Sequence, residues 1–320
     1  MVGSNDHEEP GWFLVTSIGR TATYWLSWSL NQHPDILCSH GAHIPPKMVT
    51  LGDSGSVETG LNRSGNPIRS FYDIPKDAVS EADQQDLRRS QDRFHGMPLG
   101  EVLDAHRDLG DFKLIGNVHG YTLKNAIERM LSGQAERTVS IVNLIRNPIG
   151  QILSFSGRHL FDSERDAAYM AARINIVHQR SDFAAALGDK YGIDLTDRAT
   201  LIFLSAVIEV AALQRDILIT NALHVPYELL TQSPDVFRKL IGLISGGRTI
   251  ETDDSYVESV FASGPMNYSS KTETRVAEAF AALEPWQQAA MNELLTQDVI
   301  ERYRTMGYEL GFFTSQAGGT

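Results

Sequence analysis

The chain has 320 residues, of which 42% are hydrophobic and 21% are charged, and its formal net charge is −12. This composition predicts a folded core and excludes a disordered, collagen-like or coiled-coil protein. The acidic excess disfavours binding to nucleic acid or to anionic membranes, because both are polyanions. A single cysteine, Cys38, excludes an intrachain disulfide and a multi-cysteine metal site.

No targeting or membrane segment is visible in the sequence. The first ten residues contain neither a basic stretch nor an apolar signal core, and every long apolar run is interrupted by charged residues. A membrane-spanning helix needs about 20 apolar residues in succession. We therefore expect a cytoplasmic protein without a membrane span.

Short apolar runs bounded by polar or turn residues predict five strands, at residues 13–17, 35–39, 112–116, 139–145 and 223–227. Amphipathic or helix-forming segments lie between and after them, at residues 123–131, 149–159, 168–187, 199–220, 235–244 and 285–304. Two stretches interrupt this alternation. Residues 52–65 are rich in Gly, Ser, Asn and Thr and lead into a mixed-charge segment, 76–111, that is compatible with surface helices, and residues 246–266 lack sustained periodicity. Alternating strands and helices predict an α/β protein in which helices flank a central, mainly parallel sheet.

The first predicted strand runs into a loop of small and hydroxyl residues and then into a helix. This loop, residues 18–24, reads Ile-Gly-Arg-Thr-Ala-Thr-Tyr. A helix N-terminus stabilises an oxyanion because its first N–H groups lack internal partners and the helix dipole adds positive potential. The nucleotide-kinase string G-x-x-x-x-G-K-[ST] does not occur. An ordinary Ser/Thr helix cap is the alternative interpretation.

A second motif follows the predicted strand 139–145. That strand ends in Arg146-Asn147-Pro148, and Ser154 comes eight residues after Arg146 in the next predicted helix. An arginine at the carboxyl end of a parallel strand brings a bidentate donor to the edge where α/β proteins bind ligands. A salt-bridged arginine and a helix-surface serine would be the structural alternative.

In this order and spacing, the two motifs resemble the phosphate-binding elements of sulfotransferases that use 3′-phosphoadenosine 5′-phosphosulfate (PAPS), more closely the bacterial than the animal cytosolic members. The resemblance implies a P-loop NTPase-like sulfotransferase architecture. It implies that Arg146 and Ser154 grip the 3′-phosphate, and that the phosphosulfate is bound by Gly19, Arg20, Thr21, Ala22, Thr23 and Tyr24. Ala22 stands where the family usually has glycine, so we expect a negative φ at that residue.

Three further segments fit the same resemblance. Tyr227, in the stretch His-Val-Pro-Tyr-Glu-Leu-Leu, matches a family tyrosine that lies near the adenine, and Ser270 and Lys271 fall where members bring more groups to the 3′-phosphate. The triplet Asn-Val-His ending at His119 is similar to the family's Lys-Thr-His, whose histidine is the catalytic base. His40 follows the predicted strand 35–39, and it or the nearby His43 is the alternative base or a residue that orients the acceptor.

The resemblance implies in-line transfer of a sulfuryl group from PAPS to a hydroxyl or amine of a small-molecule, lipid or glycan acceptor, with Arg20 and the helix amides stabilising the charge on the transferring group. It implies one domain over residues 1–320, with residues 41–111 as an acceptor-binding or lid insertion. No metal is expected, because the sequence lacks metal-ligand spacings. A kinase with an altered phosphate loop and a non-catalytic nucleotide-binding protein are the alternatives. Acceptor identity and oligomeric state stay open.

Overall fold

The computed structural model describes residues 9–18, 21–40, 112–119, 123–131, 138–156, 163–262 and 276–311. Its strands are β1 (Gly11–Ser17), β2 (Ile36–His40), β3 (Leu114–His119), β4 (Val139–Ile145) and β5 (Leu223–Pro226). Its helices are α1 (Thr23–Asn31), α2 (Leu123–Leu131), α3 (Pro148–Ser156), α4 (Ser163–His178), α5 (Ser181–Tyr191), α6 (Arg198–Leu213), α7 (Tyr227–Gln232), α8 (Pro234–Ile244), α9 (Asp254–Ala262), α10 (Val276–Ala281), α11 (Pro285–Leu294) and α12 (Gln297–Thr305).

The chain forms two compact units. The first holds the sheet with α1, α2 and α7 to α9, and the second holds α3 to α6 and α10 to α12. Within the described ranges, no helix combines the length and apolar character that a bilayer crossing requires. The expectation of one domain with an insertion at residues 41–111 stays a prediction, since that insertion lies outside the described residues.

The strands of the first unit form one sheet in the order β2-β3-β1-β4-β5. β1 runs parallel to both of its neighbours, β3 and β4, and β2 runs parallel to β3. All seven residues of β1 are buried, as expected for a central strand covered on both faces. The predicted α/β class with a parallel sheet flanked by helices is therefore confirmed.

Helices cover both faces of the sheet. On one face, the buried side chains of Phe13 and Val15 share a core with residues of α1, α8 and α9. On the other face, Trp12 and Leu14 share a second core with Ala126 of α2. The neighbouring strands β1 and β3 are thus followed by helices that pack on opposite faces. In open α/β sheets, such a switch opens a crevice at the carboxyl ends of the two strands.

Side chains tie the end of α1 to the strand that follows it. The Asn31 amide bonds both backbone groups of Cys38: Oδ1 accepts from the Cys38 N–H at 2.9 Å, and Nδ2 donates to the Cys38 carbonyl. The buried His33 ring accepts at Nδ1 from the Asp35 N–H, 3.1 Å away, and its Nε2 donates to the Glu251 carbonyl at 2.7 Å. These bonds fix the path from α1 into β2.

In the second unit, α3 packs against α6, and a buried amide pair joins α3 to the turn after α6. Gln214 Nε2 donates to Gln151 Oε1 at 2.6 Å, and both side chains are at most 2% exposed. A buried amide keeps its hydrogen bond because an unsatisfied one is costly. This pair holds α3 in position.

Several predicted boundaries were wrong. The predicted helix 168–187 is two helices separated at residues 179–180, the segment 199–220 becomes a 3₁₀ turn after residue 213, and the segment 285–304 breaks at residues 295–296. No helix was expected at residues 246–266, yet α9 begins at Asp254, where Asp253 Oδ1 accepts the Tyr256 N–H at 2.7 Å. β3 extends to His119 rather than ending at Gly116, because its pairing with β1 continues through polar residues.

Candidate functional site

The turn into α1 has a left-handed backbone at Ala22. Its φ is 52° and its ψ is 30°, and among the described residues it is the one non-glycine residue with positive φ. The expected negative φ was therefore wrong. A side chain in this conformation costs about 1–2 kcal/mol. The turn keeps the geometry that glycine adopts freely, although alanine occupies it.

The N-cap residue of α1 provides no side-chain cap. Ala22 takes this position, and its methyl side chain offers no acceptor to the N–H groups of the first turn. Thr21, which precedes it, is fully buried, and its Oγ1 has no hydrogen-bond partner among the residues described. Buried hydroxyl groups without a partner are uncommon in folded proteins. An unsatisfied hydroxyl beside an uncapped helix N-terminus forms a cradle suited to an oxyanion.

His40 lies at this same turn. It is the last residue of β2, and its Nε2 is 3.0 Å from Oγ1 of Thr23, the first residue of α1. Thr23 is 8% exposed and His40 is half-buried. Among the sequence-predicted site residues, the structure thus brings Thr23 and His40 into direct contact.

His119 ends β3 at the same edge of the sheet. The register pairs its backbone with Thr16 of β1, while the preceding residue, Val118, pairs with His40. Asn117, which stands in place of the family's lysine, is 2% exposed and pairs with Leu14. The two candidate bases therefore end neighbouring strands, at the switch between β1 and β3.

A chain of three polar side chains, two of them buried, crosses the sheet near this edge. Thr16 Oγ1 donates to Asn143 Oδ1 at 2.8 Å, and Asn143 Nδ2 is 3.1 Å from His224 Nδ1. Thr16 and Asn143 are at most 5% exposed. No role was predicted for these residues from the sequence. The available signal was Asn143 itself, a polar residue inside an apolar strand, which must find a partner when buried.

The second unit carries the other predicted phosphate element. Arg146 is 2% exposed, and a Cβ built on Gly150 would lie 3.7 Å from its Nε, so the side chain passes over the first turn of α3. Ser154 is 8% exposed and lies one turn after Gly150 on the same helix face. Arg146 and Ser154 therefore share one side of α3.

Asn147 caps α3, whereas the N-cap residue of α1, Ala22, provides no side-chain cap. Its Oδ1 accepts the N–H of Ile149 at 3.0 Å and is 3.5 Å from the N–H of Gly150. The asparagine thus occupies donors that an anion would otherwise use. A phosphate at this element would depend on side chains such as Arg146 rather than on helix amides. Asn before a helix-starting proline was the sequence signal for this cap.

The remaining predicted residues divide into two groups. Tyr227 begins α7 and is 1% exposed, and Tyr24 lies in the first turn of α1. The other predicted residues lie outside the described ranges: Gly19, Arg20, His43, Ser270 and Lys271. Over the part of the chain that the structure describes, no three His, Cys, Asp or Glu side chains gather in a way that could hold a metal ion.

Comparison with known proteins gives matches to solved structures only. No family model and no curated protein matches the chain. The sulfotransferase domain of the Synechococcus PCC 7002 olefin synthase is 16% identical with a TM-score of 0.46, and the alignment covers 96% of this chain and 98% of that one.

Two other sulfotransferase structures give similar values. For the sulfotransferase from Alicyclobacillus acidocaldarius the identity is 15%, the TM-score 0.41 and the coverage 95% and 98%. For the sulfotransferase domain from the curacin biosynthetic pathway the identity is 15%, the TM-score 0.43 and the coverage 94% and 99%. At identities and TM-scores this low, these likenesses assign neither a substrate nor residue roles to this chain.

Proposed function

We propose that this chain is a sulfotransferase that moves the sulfuryl group of PAPS to a hydroxyl or amine of a small-molecule, lipid or glycan acceptor. The observation that carries the proposal is the first turn of α1, which follows the central strand β1 and receives no side-chain cap from Ala22. Beside it lies the buried hydroxyl of Thr21, which has no partner among the described residues. Together with the motifs that resemble PAPS-binding elements, this turn supports binding of the phosphosulfate end of the donor.

The reaction is a displacement at sulfur. The acceptor oxygen or nitrogen attacks sulfur, the bond from sulfur to the bridging phosphate oxygen breaks, and 3′,5′-diphosphoadenosine (PAP) leaves with the extra negative charge. The helix amides with Thr21 and Thr23, and Arg20 by resemblance, would stabilise that charge. A well-placed donor of this kind is worth about 3–4 kcal/mol in comparable oxyanion sites.

The 3′-phosphate distinguishes PAPS from ATP and AMP, and we propose that Arg146 and Ser154 bind it. A guanidinium binds phosphate through two parallel hydrogen bonds, which gives direction as well as strength. The placement of both residues on one side of α3, and the capping of α3 by Asn147, support recognition by these side chains. Tyr227, Ser270 and Lys271 are the further nucleotide-binding residues that the resemblance implies.

His119 is the proposed base that removes the proton of the acceptor. A histidine can accept a proton near neutral pH. The position of His119 at the end of β3, beside the central strand, supports this role, because reacting groups of α/β proteins lie at the carboxyl ends of strands.

The proposal is tested by comparing ligands in thermal unfolding and by assaying transfer. PAP should raise the melting temperature far more than ATP or AMP at equal concentration, because stabilisation grows as RT ln(1 + [L]/Kd). Arg146→Ala should weaken PAP binding by about tenfold or more and leave AMP binding unchanged, whereas Arg238→Ala, which breaks a surface ion pair with Asp254, should change neither.

Transfer of labelled sulfate from PAPS to phenols, alcohols, sugars and lipids then identifies the acceptor class. Stabilisation by ATP with Mg²⁺ but not by PAP would contradict the proposal and favour a kinase. Binding of PAP without transfer to any acceptor would favour a non-catalytic nucleotide-binding protein.

A further inference from the structure

We infer that His40 is a positioning residue, which donates a hydrogen bond from Nε2 to Thr23 Oγ1 and thereby directs the Thr23 hydroxyl proton toward an anion at the first turn of α1. The inference rests on the proposed function and deepens it, because it gives a role to a histidine that was otherwise only an alternative base.

The geometry places the hydroxyl where an anion would bind. Thr23 is the first residue of α1, directly after Ala22 and the buried Thr21. Its Oγ1 lies 3.0 Å from His40 Nε2, and within the described residues the imidazole is its hydrogen-bond partner. Because Thr23 is 8% exposed, water has little access to compete for the hydroxyl proton.

The chemistry of a hydroxyl group decides the direction of this hydrogen bond. A threonine hydroxyl has one proton to donate and two lone pairs that accept. If the imidazole accepted that proton, Thr23 would turn lone pairs toward the anion and repel it. If Nε2–H donates instead, the hydroxyl proton is left for the anion, and donation from the ring makes the hydroxyl a stronger donor. A bound anion therefore selects the form of His40 that carries hydrogen on Nε2.

This arrangement argues against His40 as the catalytic base. A general base needs an unprotonated ring nitrogen within reach of the acceptor proton. The Nε2 of His40 donates to Thr23, and its Nδ1, the nitrogen left without hydrogen, is buried. His40 therefore acts on the ligand through Thr23, and His119 remains the proposed base.

The experiment measures how much the 5′-phosphate alone contributes to binding. Calorimetry gives the dissociation constant of adenosine 3′-monophosphate, which lacks the 5′-phosphate, and this value is divided by the dissociation constant of PAP. We expect His40→Ala and Thr23→Val each to lower this ratio about tenfold while the affinity for adenosine 3′-monophosphate stays the same. The double variant should lower the ratio no further than Thr23→Val alone, because His40 acts through Thr23.

His40→Gln is the matched variant, since its amide N–H can donate to Thr23 but its side chain cannot act as a base. His40→Gln should keep the ratio and the turnover number within a few-fold of wild type. His40→Glu can only accept a hydrogen bond from Thr23, so it should lower the ratio as much as His40→Ala does. This pair keeps the test informative if His40→Ala fails to fold.

Three results would overturn the inference. The first is an unchanged ratio in His40→Ala. The second is an equal loss of affinity for both nucleotides, which indicates a structural role. The third is loss of turnover in His40→Gln with PAP affinity retained, which indicates that His40 is the base. If wild type binds PAP no better than adenosine 3′-monophosphate, the proposed function fails separately. Inorganic pyrophosphate then becomes the probe: weaker binding to His40→Ala supports the inference, and equal or absent binding overturns it.

Discussion

The ring of Phe13 lies directly over Gly116, its register partner in the neighbouring strand, so that a Cβ built on Gly116 would be 2.4 Å from ring carbon Cδ1. Phe13 is fully buried and cannot turn away into solvent. Gly116→Ala should therefore lower the free energy of unfolding by about 1–3 kcal/mol, measured by urea denaturation, because the ring or the strand must shift.

Gly242→Ala is the matched control for this substitution. Gly242 lies in α8, and a Cβ there would meet nothing within 4 Å. Because alanine is the better helix former by about 1 kcal/mol, this change should be neutral or stabilising. Equal losses from both substitutions would contradict the packing explanation.

Ala22→Gly should stabilise the protein. Glycine removes the cost of the left-handed conformation, about 1–2 kcal/mol, and loses part of that gain to the greater freedom of the unfolded chain. We expect a net gain of up to about 1 kcal/mol in thermal or chemical unfolding. Ala186→Gly, in the exposed middle of α5, should instead cost about 1 kcal/mol. A loss of similar size at both positions would show that Ala22 is not strained.

The hydrogen bond from Thr16 to Asn143 predicts coupled substitutions. Thr16→Val leaves the Asn143 amide short of a buried partner, at a cost of about 1–2 kcal/mol. Asn143→Ala should also destabilise, and the double variant should lose less than the two single losses added together. Thr305→Val, at an exposed hydroxyl, serves as the reference. Strict additivity in urea denaturation would mean that the two side chains contribute independently.

His119→Ala should lower the turnover number by about 10²–10⁴-fold while PAP binds as tightly as before, since a base acts on the acceptor and not on the nucleotide. Transfer rates and calorimetry measure the two effects separately. His178→Ala, at an exposed histidine that ends α4, should change neither. Loss of PAP affinity in a folded His119→Ala protein would remove His119 from the role of base.

Asp197 makes stability depend on pH. Hydrogen bonds from the N–H of Thr200 at 2.8 Å and from its hydroxyl at 3.0 Å hold the pKa of Asp197 below its usual value. A carboxyl whose pKa is lowered on folding stabilises the protein above its unfolded pKa of about 3.9, and this contribution disappears as the pH falls through the folded pKa. Asp197→Ala should thus lower the melting temperature at pH 7.

The difference between wild type and Asp197→Ala should narrow as the pH falls below about 4. Asp197→Asn is the control, because its amide oxygen accepts the same N–H bond and does not titrate. A difference between wild type and Asp197→Ala that is the same at pH 3 and pH 7 would contradict the role of the charge.

The fold class was predictable because its signals are local. Apolar runs such as residues 139–145 stand out between polar segments, and this strand was predicted to the residue. The order of strands was not predictable, since the position of β1 between β3 and β4 depends on packing between distant segments. The helix ends at residues 179–180 and 295–296 contain neither proline nor glycine, so the strongest local signals for a helix end are missing there.

The sequence signals for the candidate site lie in consecutive residues, in the hydroxyl-rich loop before α1 and in the Arg-Asn-Pro turn after β4, and their binding roles stay predictions. The backbone of Ala22 was mispredicted because the path from β1 into a helix anchored by Trp25 and Leu26 overrides the preference of alanine. The contacts of Thr16 with Asn143 and of Thr23 with His40 require strand register, which no local pattern gives.

The amide of Asn31 has a consequence for the outer edge of the sheet. Within the described strands β2 is terminal, and an open strand edge is a template on which another polypeptide can add by backbone pairing. Here the Cys38 N–H and carbonyl are already bonded by one side chain that imitates a neighbouring backbone. A second polypeptide pairing with β2 at Cys38 would first have to displace Asn31, so this side chain disfavours strand addition at that point.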